Sequence, residues 1–313
     1  MRTRAARLVR HGEPLVVQTV DLPEPTADDV VVDIAFAGVN PVDAYALAGR
    51  VYPDAPLPRT LGGEASGYLD GAPVLVYGEG LGVSRDGVYA EQVVAPRAAV
   101  FPLPSGIDPA EAACLGVVGT TAWRAVHMAE IGPQDRVLVL GGAGGVGLTA
   151  ISYAASTGAR VWGQTGDPQK VSAITEAGAE RAVVTDAAGL EDAVRELAPT
   201  VVLDALGDGF TVGAIQALQP RGRIVLYGTS AGAQCDFPLQ QLYRKHIRLL
   251  GYGGLIATRE ERREAVHGAL TALAEGQLRI RVGAKVGLSE INEAFTLLRN
   301  RSVPGKIVVE VRG

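Results

Sequence analysis

VLVLGGAGGVGLTA, residues 137–150, places five glycines within seven positions directly behind an apolar run. Gly142, Gly144 and Gly147 have the G-x-G-x-x-G spacing, follow a predicted strand and open a predicted helix, which is the context that a dinucleotide-binding loop requires. In such a loop the first glycine allows a tight turn, the second lets the backbone approach a pyrophosphate, and the third lets helix and strand pack closely. The start of the helix also directs free N–H groups at an anion. The residues predicted to bind the dinucleotide phosphates are Gly142, Gly144, Gly145, Val146 and Gly147.

Apolar, strand-like runs alternate with helical patterns on both sides of this loop. Strict alternation, with strands that are apolar throughout, is typical of a parallel sheet covered by helices on both faces. Six such runs match a complete doubly wound, Rossmann-type nucleotide-binding domain, so we predict an α/β fold. The predicted strands are RVLVL (136–140), ARVWGQ (159–164), RAVVT (181–185), TVVLDAL (200–206), GRIVLYG (222–228) and IRLLGY (247–252).

The two ends of the chain read differently. Residues 1–112 carry many prolines and glycines with short strand-like pieces, and they predict a compact β-rich domain. Residues 253–313 contain a charged helical pattern, a second helix and a closing strand, and we expect this tail to return to the first domain. The predicted division is therefore 1–112 with 253–313 for one domain and 113–252 for the other.

Composition narrows the class of protein. A chain of 313 residues that is 47% hydrophobic can bury large cores, and single cores stop growing at about 250–300 residues, which favours two domains. With 29 basic against 34 acidic side chains, nothing favours a nucleic-acid or membrane partner. No signal peptide or membrane span is expected, because no apolar run reaches about 18 residues. Cys114 and Cys235 are predicted to be free thiols of a cytoplasmic protein.

The choice of nucleotide depends on the end of the second strand, near Gln164 or Thr165. An acidic residue there would accept hydrogen bonds from the adenosine ribose and favour NAD, but neither residue is acidic. Lys170 could contact a ribose phosphate and favour NADP. Asp167 could bind the ribose, repel the phosphate or cap a helix that begins at Pro168. NADPH is the predicted cofactor, with Thr165 and Lys170 among its contacts, and NADH stays open.

Several strings carry a resemblance over nearly the whole chain. They are GVNPVDAYALAG (38–49), LGGEASG (61–67), DGVYAEQVVAP (86–96), GTTAW (119–123), the glycine loop and PGKIVVEV (304–311). In these strings the sequence resembles the medium-chain dehydrogenase/reductase superfamily and, within it, the zinc-independent quinone oxidoreductases related to zeta-crystallin. The resemblance implies a GroES-like catalytic domain beside the Rossmann domain.

The resemblance also bears on zinc. In zinc alcohol dehydrogenases of the superfamily, one cysteine ligand falls where this chain has Asn40, and one histidine ligand falls where it has Gly63. Cys114 lies near the place of a third ligand, but one thiolate cannot hold a tetrahedral metal. We therefore expect no metal.

Catalytic residues are assigned by the same resemblance. It implies that Asn40, Asp43 and Tyr45 lie beside the nicotinamide and that Tyr52 lies near the substrate, with the two tyrosines as candidate hydrogen-bond donors. Each tyrosine could equally be a ring packed at a domain edge, and Asn40 could simply form a turn with the proline that follows. Thr121 is expected beside the nicotinamide ring, although a hydroxyl bonded to its own helix is an alternative.

The function implied is an NADPH-dependent reductase of quinones or α,β-unsaturated carbonyls. Alternatives are a zinc-free alcohol dehydrogenase, an enoyl-thioester reductase, and a nucleotide-binding structural or sensory protein without catalytic duty. Two departures from the family pattern matter: Asp186 puts a negative charge where relatives carry a tyrosine, and the segment from Gly67 to Tyr89 is short. A homodimer is expected, because IRLLGYGG (247–254) predicts an apolar edge strand that can pair with its copy.

Overall fold

The computed structural model describes residues 1–236 and 239–312. The chain divides into two compact units, the first made of Met1–Val117 and Ile280–Gly313 and the second of Val118–Arg279. Every helix in the described residues is too short or too polar to cross a bilayer.

The strands are β1 (Arg2–Leu8), β2 (Val16–Asp21), β3 (Asp29–Val39), β4 (Arg59–Thr60), β5 (Glu64–Leu69), β6 (Ala72–Tyr77), β7 (Gln92–Pro96), β8 (Val100–Pro102), β9 (Arg136–Leu140), β10 (Arg160–Thr165), β11 (Arg181–Val184), β12 (Val201–Asp204), β13 (Arg223–Leu226), β14 (Arg248–Gly251), β15 (Val282–Gly287) and β16 (Lys306–Glu310). The α-helices are α1 (Pro41–Leu47), α2 (Pro109–Ala112), α3 (Thr120–Met128), α4 (Gly145–Ser156), α5 (Val171–Glu176), α6 (Leu190–Ala193), α7 (Asp208–Ala217), α8 (Leu239–Arg244), α9 (Arg259–Ala274) and α10 (Ile291–Asn300). Short 3₁₀ helices span Arg97–Ala99, Pro168–Lys170, Gly254–Ile256 and Leu288–Glu290, and a π-helical turn spans Leu115–Gly119.

The second unit contains the predicted Rossmann sheet. Its strand order is β11-β10-β9-β12-β13-β14, and every neighbouring pair is parallel. The six predicted strands are all present, because each is an apolar run that the sheet buries, as in β12, where all four residues are buried. The order reverses between β9 and β12, and ligands of such sheets bind outside the carboxyl ends of the strands at this point. The glycine loop follows β9 directly.

The first unit is rich in β-structure, as predicted. A seven-stranded mixed sheet has the order β15-β16-β3-β5-β6-β8, with β7 also paired to β3, and β2-β1-β4 form a smaller sheet. The core between these elements includes Ile34, Leu61, Tyr89 and Phe295. β15 is absent from the sequence-based assignment, because its alternation of exposed and half-buried residues gives it no apolar run. It is stabilised by parallel pairing with β16, which sequence periodicity does not reveal.

The boundaries between the units differ from the predicted ones. Residues 253–279, including α9, lie in the second unit rather than the first. The physical reason is the packing of α9 on α3: Arg124 of α3 pairs with Glu264 of α9 at 2.7 Å, and Gly268 leaves room for the Trp123 ring. Residues 113–117 lie in the first unit instead of the second. Gly313, the end of the predicted tail segment, lies outside the described residues.

Candidate functional site

The glycine loop turns between the end of β9 and the start of α4. Its left-handed residue is Gly141, with φ of +67°, so Gly141 rather than Gly142 allows the tight turn. Gly142 instead lies against β10, where a Cβ atom would be 3.2 Å from the Gln164 carbonyl oxygen. The backbone N–H of Gly142 donates to that same oxygen at 2.7 Å, which holds the turn on the sheet.

Gly144 and Gly147 have separate tasks in the loop. Gly144 precedes the helix in an extended conformation and is exposed, and a Cβ atom there would meet only the Gly141 oxygen, at 3.4 Å. A phosphate can therefore approach the backbone at Gly144. At Gly147 a Cβ atom would lie 2.8 Å from the Gly142 Cα and closer still to the Gly141 oxygen, so only glycine fits. With Gly145 and Val146 in the first turn of α4, whose N–H groups have no partners within the helix, the loop fits a pyrophosphate.

Gln164, at the end of β10, holds the loop in place. Its side chain is 1% exposed, and its Oε1 accepts from the Gly141 N–H at 3.1 Å while its Nε2 donates to the Thr185 oxygen at 2.7 Å. The amide thus joins the ends of β9, β10 and β11. Sequence reasoning noted only that Gln164 is not acidic, and it missed this bridging role.

The residues predicted to select the nucleotide follow β10. Asp167 caps the short helix that follows, because its Oδ1 accepts from the Gln169 N–H at 2.9 Å. Its other oxygen lies 3.5 Å from Nζ of Lys170. Thr165 is buried and its hydroxyl accepts from the Asp167 N–H at 3.1 Å. Asp186 accepts from the Gly189 N–H at 2.9 Å and so stabilises its own turn. Each of these carboxylates therefore has a structural partner.

Thr121 lies on α3 in the same unit as the glycine loop and is half-buried. Its neighbour Thr120 is buried and forms a hydrogen bond with Tyr252, whose pKa is raised by burial.

A second group of polar residues lies buried in the first unit, and we call it the Asn40 cluster: Asn40, Asp43, Glu64, Tyr89 and Lys306. Strand register brings its members together. β16 pairs with β3 with Ile307 opposite Val39, which sets Lys306 beside Asn40. Glu64, at the start of β5, reaches the same place because Gly38 of β3 has no side chain: a Cβ there would lie 2.6 Å from Glu64 Oε1.

Lys306 is the centre of one half of the cluster. Its Nζ donates to Asn40 Oδ1 at 2.6 Å, to the Val39 oxygen at 2.7 Å and to Glu64 Oε1 at 3.1 Å. Asn40 Nδ2 donates to Glu64 Oε1 at 2.7 Å, and Glu64 Oε2 accepts from the Val117 N–H at 2.7 Å. The three N–H groups of the ammonium and both carboxylate oxygens of Glu64 are thereby engaged.

Asp43 and Tyr89 form the other half. Asp43 Oδ2 accepts from the Asn40 backbone N–H at 2.9 Å and from the Tyr89 hydroxyl at 2.8 Å. Burial raises the pKa of Asp43 to about 6, against the opposing effects of these bonds and of Lys306. Burial also raises the pKa of Tyr89 well above its ordinary value and that of the Cys114 thiol to about 12. Of these three groups, Asp43 is the one that can exchange a proton near neutral pH.

The structure brings together two of the four predicted catalytic residues. Asn40 and Asp43 share the cluster, whereas Tyr45 is 43% exposed on α1 and Tyr52 lies in the turn beyond it, with a φ of +54°. In the described chain neither tyrosine hydroxyl joins the hydrogen bonds of the cluster. Sequence reasoning missed roles for Glu64, Tyr89 and Lys306. The signal in the sequence is a lysine directly before the apolar run of the closing strand.

The side chains of the Asn40 cluster do not form a set of zinc ligands. Across residues 1–236 and 239–312, no group of three or more His, Cys, Asp or Glu side chains could hold a metal ion. At Asn40, where zinc relatives have a ligand, the nearest cation is the Lys306 ammonium. It already donates to Asn40 Oδ1 and Glu64 Oε1, and its positive charge would repel a metal ion.

Comparison with known proteins covers the whole chain. "Quinone oxidoreductase-like protein 2" of Mus musculus is 31% identical over 324 residues, which span 99% of this chain and 92% of that protein. The chain belongs to the medium-chain dehydrogenase/reductase superfamily. Within that superfamily it is quinone-oxidoreductase-like, as the sequence strings predicted, and the family described as "Zinc-binding dehydrogenase" matches residues 145–275.

Solved structures give the same placement in the superfamily. The quinone oxidoreductase of Thermus thermophilus, solved alone and with NADPH, has a TM-score of 0.87 and 29% identity over 98% of this chain and all of that one. A structure described as an NAD-dependent alcohol dehydrogenase has a TM-score of 0.88 and 28% identity over 99% of this chain and all of that one. This medium-chain dehydrogenase/reductase is therefore an oxidoreductase of the nicotinamide-dependent class, which confirms the predicted enzyme class.

Proposed function

We propose that this oxidoreductase uses NADPH to reduce a quinone or an α,β-unsaturated carbonyl without a metal ion. The observation that carries the proposal is the buried Lys306 ammonium, bonded to Asn40 and Glu64, which stands where a metal ion would need those same oxygens. The whole-chain similarity to a quinone oxidoreductase-like protein supports the same class of acceptor.

The residues of the chain supply binding, hydrogen bonds and a proton. A bound NADPH supplies a hydride from its nicotinamide ring. An acceptor that has gained a hydride carries an oxyanion, which needs hydrogen-bond donors and then one proton to give the hydroquinone or the saturated carbonyl. Tyr45 and Tyr52 are the proposed donors, and Asn40 is proposed to lie beside the nicotinamide. Asp43, with a pKa of about 6, is the proposed group for proton exchange.

The cofactor would be held by the glycine loop, with Thr121 at the nicotinamide and Thr165 and Lys170 near the adenosine. NADPH is proposed over NADH because the Lys170 ammonium can turn from Asp167 to a ribose phosphate, which carries more charge than one carboxylate. Lys170→Ala should then raise the KM for NADPH far more than the KM for NADH. Equal effects on the two constants would contradict this assignment.

Mixing purified protein with NADPH and a panel of small quinones and enones, and following nicotinamide absorbance, tests the reaction directly. We expect oxidation above the blank that survives a chelator, with no stoichiometric metal in the sample. Tight NADPH binding without turnover on any acceptor would instead favour a structural or sensory protein.

A second candidate is an NADH-dependent alcohol dehydrogenase that works without zinc. It is favoured by Asp167, which lies where a carboxylate could accept from ribose hydroxyls, and by the similarity to the alcohol dehydrogenase structure. Oxidation of alcohols with NAD at a rate above that of quinone reduction would select it.

We further propose a homodimer formed through β14. This strand lies at one edge of the Rossmann sheet, as expected from the sequence, and its backbone groups can pair with those of a second copy. Exposed apolar side chains cluster around it in sequence: Leu239, Tyr243, Leu249, Leu255 and Ile256.

A further inference from the structure

Only 4% of the surface of Lys306 is exposed, although lysine is among the residues least often buried. A buried ammonium is tolerated only when it is paired and hydrogen-bonded, and here three oxygens surround it. We propose that Lys306 is a positioning residue for the proposed reduction: it is the built-in cation of the Asn40 cluster, and together with Glu64 it fixes the Asn40 amide and sets the charge that Asp43 faces. This inference rests on the proposed function.

The orientation of the Asn40 amide follows from the charges of its partners. An ammonium can only donate, so Lys306 requires the amide oxygen, and a carboxylate can only accept, so Glu64 requires the amide nitrogen. Turning the amide over would place the ammonium against an NH₂ group and the carboxylate against an oxygen. Both bonds would be lost, and the pair therefore leaves Asn40 one orientation.

The same pair acts on Asp43 in opposite directions. Four titratable groups face this half of the cluster: Tyr89, Lys306 of β16, Glu64 of β5, and Cys114 behind them. Tyr89 and Cys114 stay protonated, because burial raises the pKa of each. The positive charge of Lys306 lowers the pKa of Asp43, and the negative charge of Glu64 raises it. Lys306 therefore favours the Asp43 carboxylate, and Glu64 opposes it.

Two substitutions separate this role from a merely structural one. Lys306→Met removes the positive charge at similar length, so the pKa of Asp43, measured by carboxyl NMR titration, should rise by about one unit. Glu64→Gln removes the negative charge, so the same pKa should fall. General loosening of the cluster would move both values the same way. Lys306→Arg keeps the positive charge, so the pKa of Asp43 should stay close to its wild-type value in this variant.

A control variant tests whether the loss of any buried cation in this unit would shift the pKa of Asp43. Arg7 is another buried cation of the first unit, and its side-chain hydrogen bonds go to Asp86 at 2.7 Å, to Thr60 at 3.2 Å and to the Pro58 oxygen, which lie outside the Asn40 cluster. Arg7→Met should lower the melting temperature without moving the Asp43 titration or the KM for the acceptor.

The outcomes are distinct from those of the proposed function. In a wild-type enzyme with quinone reductase activity, the limb of the kcat/KM pH profile should move with the Asp43 titration in each variant. If the wild type reduces no quinone or enone, the proposed function fails, while the opposite NMR shifts still support the role of Lys306. Shifts of the same sign, or no shift in Lys306→Met and Glu64→Gln, would overturn it. If Lys306→Met does not fold, Lys306→Gln, which also removes the positive charge, takes its place: the pKa of Asp43 should rise in Lys306→Gln and fall in Glu64→Gln.

Discussion

Gly144 and Gly147 show how a single missing Cβ atom can serve either binding or folding. At Gly147 the neighbouring backbone fills the space that a side chain would need, whereas at Gly144 the space is open. The G-x-G-x-x-G spacing predicted both positions from sequence, but it did not show that Gly141 takes the left-handed turn. The spacing identifies which residues are glycines, but only the folded structure shows which atoms a Cβ at each position would contact.

The first prediction separates these two tasks. Gly147→Ala should destabilise the second unit by about 1–3 kcal/mol, because the added methyl group overlaps the Gly142 backbone. Gly144→Ala should leave the melting temperature within a few degrees, because its backbone angles suit alanine, but it should weaken nucleotide binding tenfold or more. Thermal unfolding and NADPH titration by fluorescence measure both effects. Equal binding by the wild type and Gly144→Ala would show that the phosphates lie elsewhere.

The second prediction concerns Asp43 and stability. Its pKa is about 6 in the folded chain and 3.8 ordinarily, so the folded state binds its proton more tightly than the unfolded state. The stability that this contributes is complete below about pH 4 and is lost as pH rises through 6. Asp43→Asn keeps an acceptor for Tyr89 but cannot titrate.

We therefore expect the unfolding free energy of the wild type, relative to Asp43→Asn, to fall by about 3 kcal/mol between pH 4 and pH 7. Urea unfolding of both proteins across this range measures the difference, and titration of other groups cancels in it. A difference that stays constant with pH would mean that Asp43 has an ordinary pKa in the folded chain.

At the scale of elements, sequence reasoning found the Rossmann strands and missed the Asn40 cluster for one physical reason. A buried parallel strand can be predicted from its own residues, because they are apolar throughout, as in RVLVL of β9. The cluster depends on pairing between distant strands, with Lys306 placed beside Asn40 by the register of β16 on β3. Local patterns contain the first kind of information and not the second. Resemblance supplied Asn40 and Asp43 but not their partners.

The third prediction tests the packing of α9 on α3, which explains why residues 253–279 belong to the second unit. Gly268→Ala would gain about 1 kcal/mol of helix propensity on an exposed helix. Here the new Cβ would lie 2.5 Å from Cζ2 of Trp123, so overpacking should dominate and the net effect should be a loss of about 1–2 kcal/mol. Thr271→Ala, at an exposed position of the same helix, is the control for propensity alone.

Urea unfolding of the three proteins reads out both terms. A stabilised Gly268→Ala would mean that α9 does not press on the Trp123 ring.

At the scale of the molecule, the two edges of the Rossmann sheet differ. Charge does not separate them, because β11 carries Arg181, paired with Glu196 at 2.9 Å, and β14 carries Arg248, paired with Glu130 at 3.2 Å. The difference lies in the exposed apolar residues nearby. β14 is followed within a few residues by Leu255 and Ile256, which are 60% and 89% exposed. Exposed apolar residues beside an unpaired edge mark an association site, so we expect a second copy at β14 rather than at β11.

The fourth prediction follows from this difference between the edges. The wild type should have twice the mass of one 32.5 kDa chain by light scattering at micromolar concentration. Burying an unpaired lysine ammonium in the dimer interface costs free energy. Leu249→Lys and Ile256→Lys should therefore shift the protein to a monomer. Val184→Lys, on β11 and similarly exposed, should stay dimeric. A wild-type monomer would remove the dimer, and dissociation by Val184→Lys alone would move it to the opposite edge, because each substitution adds the same charge to a different strand.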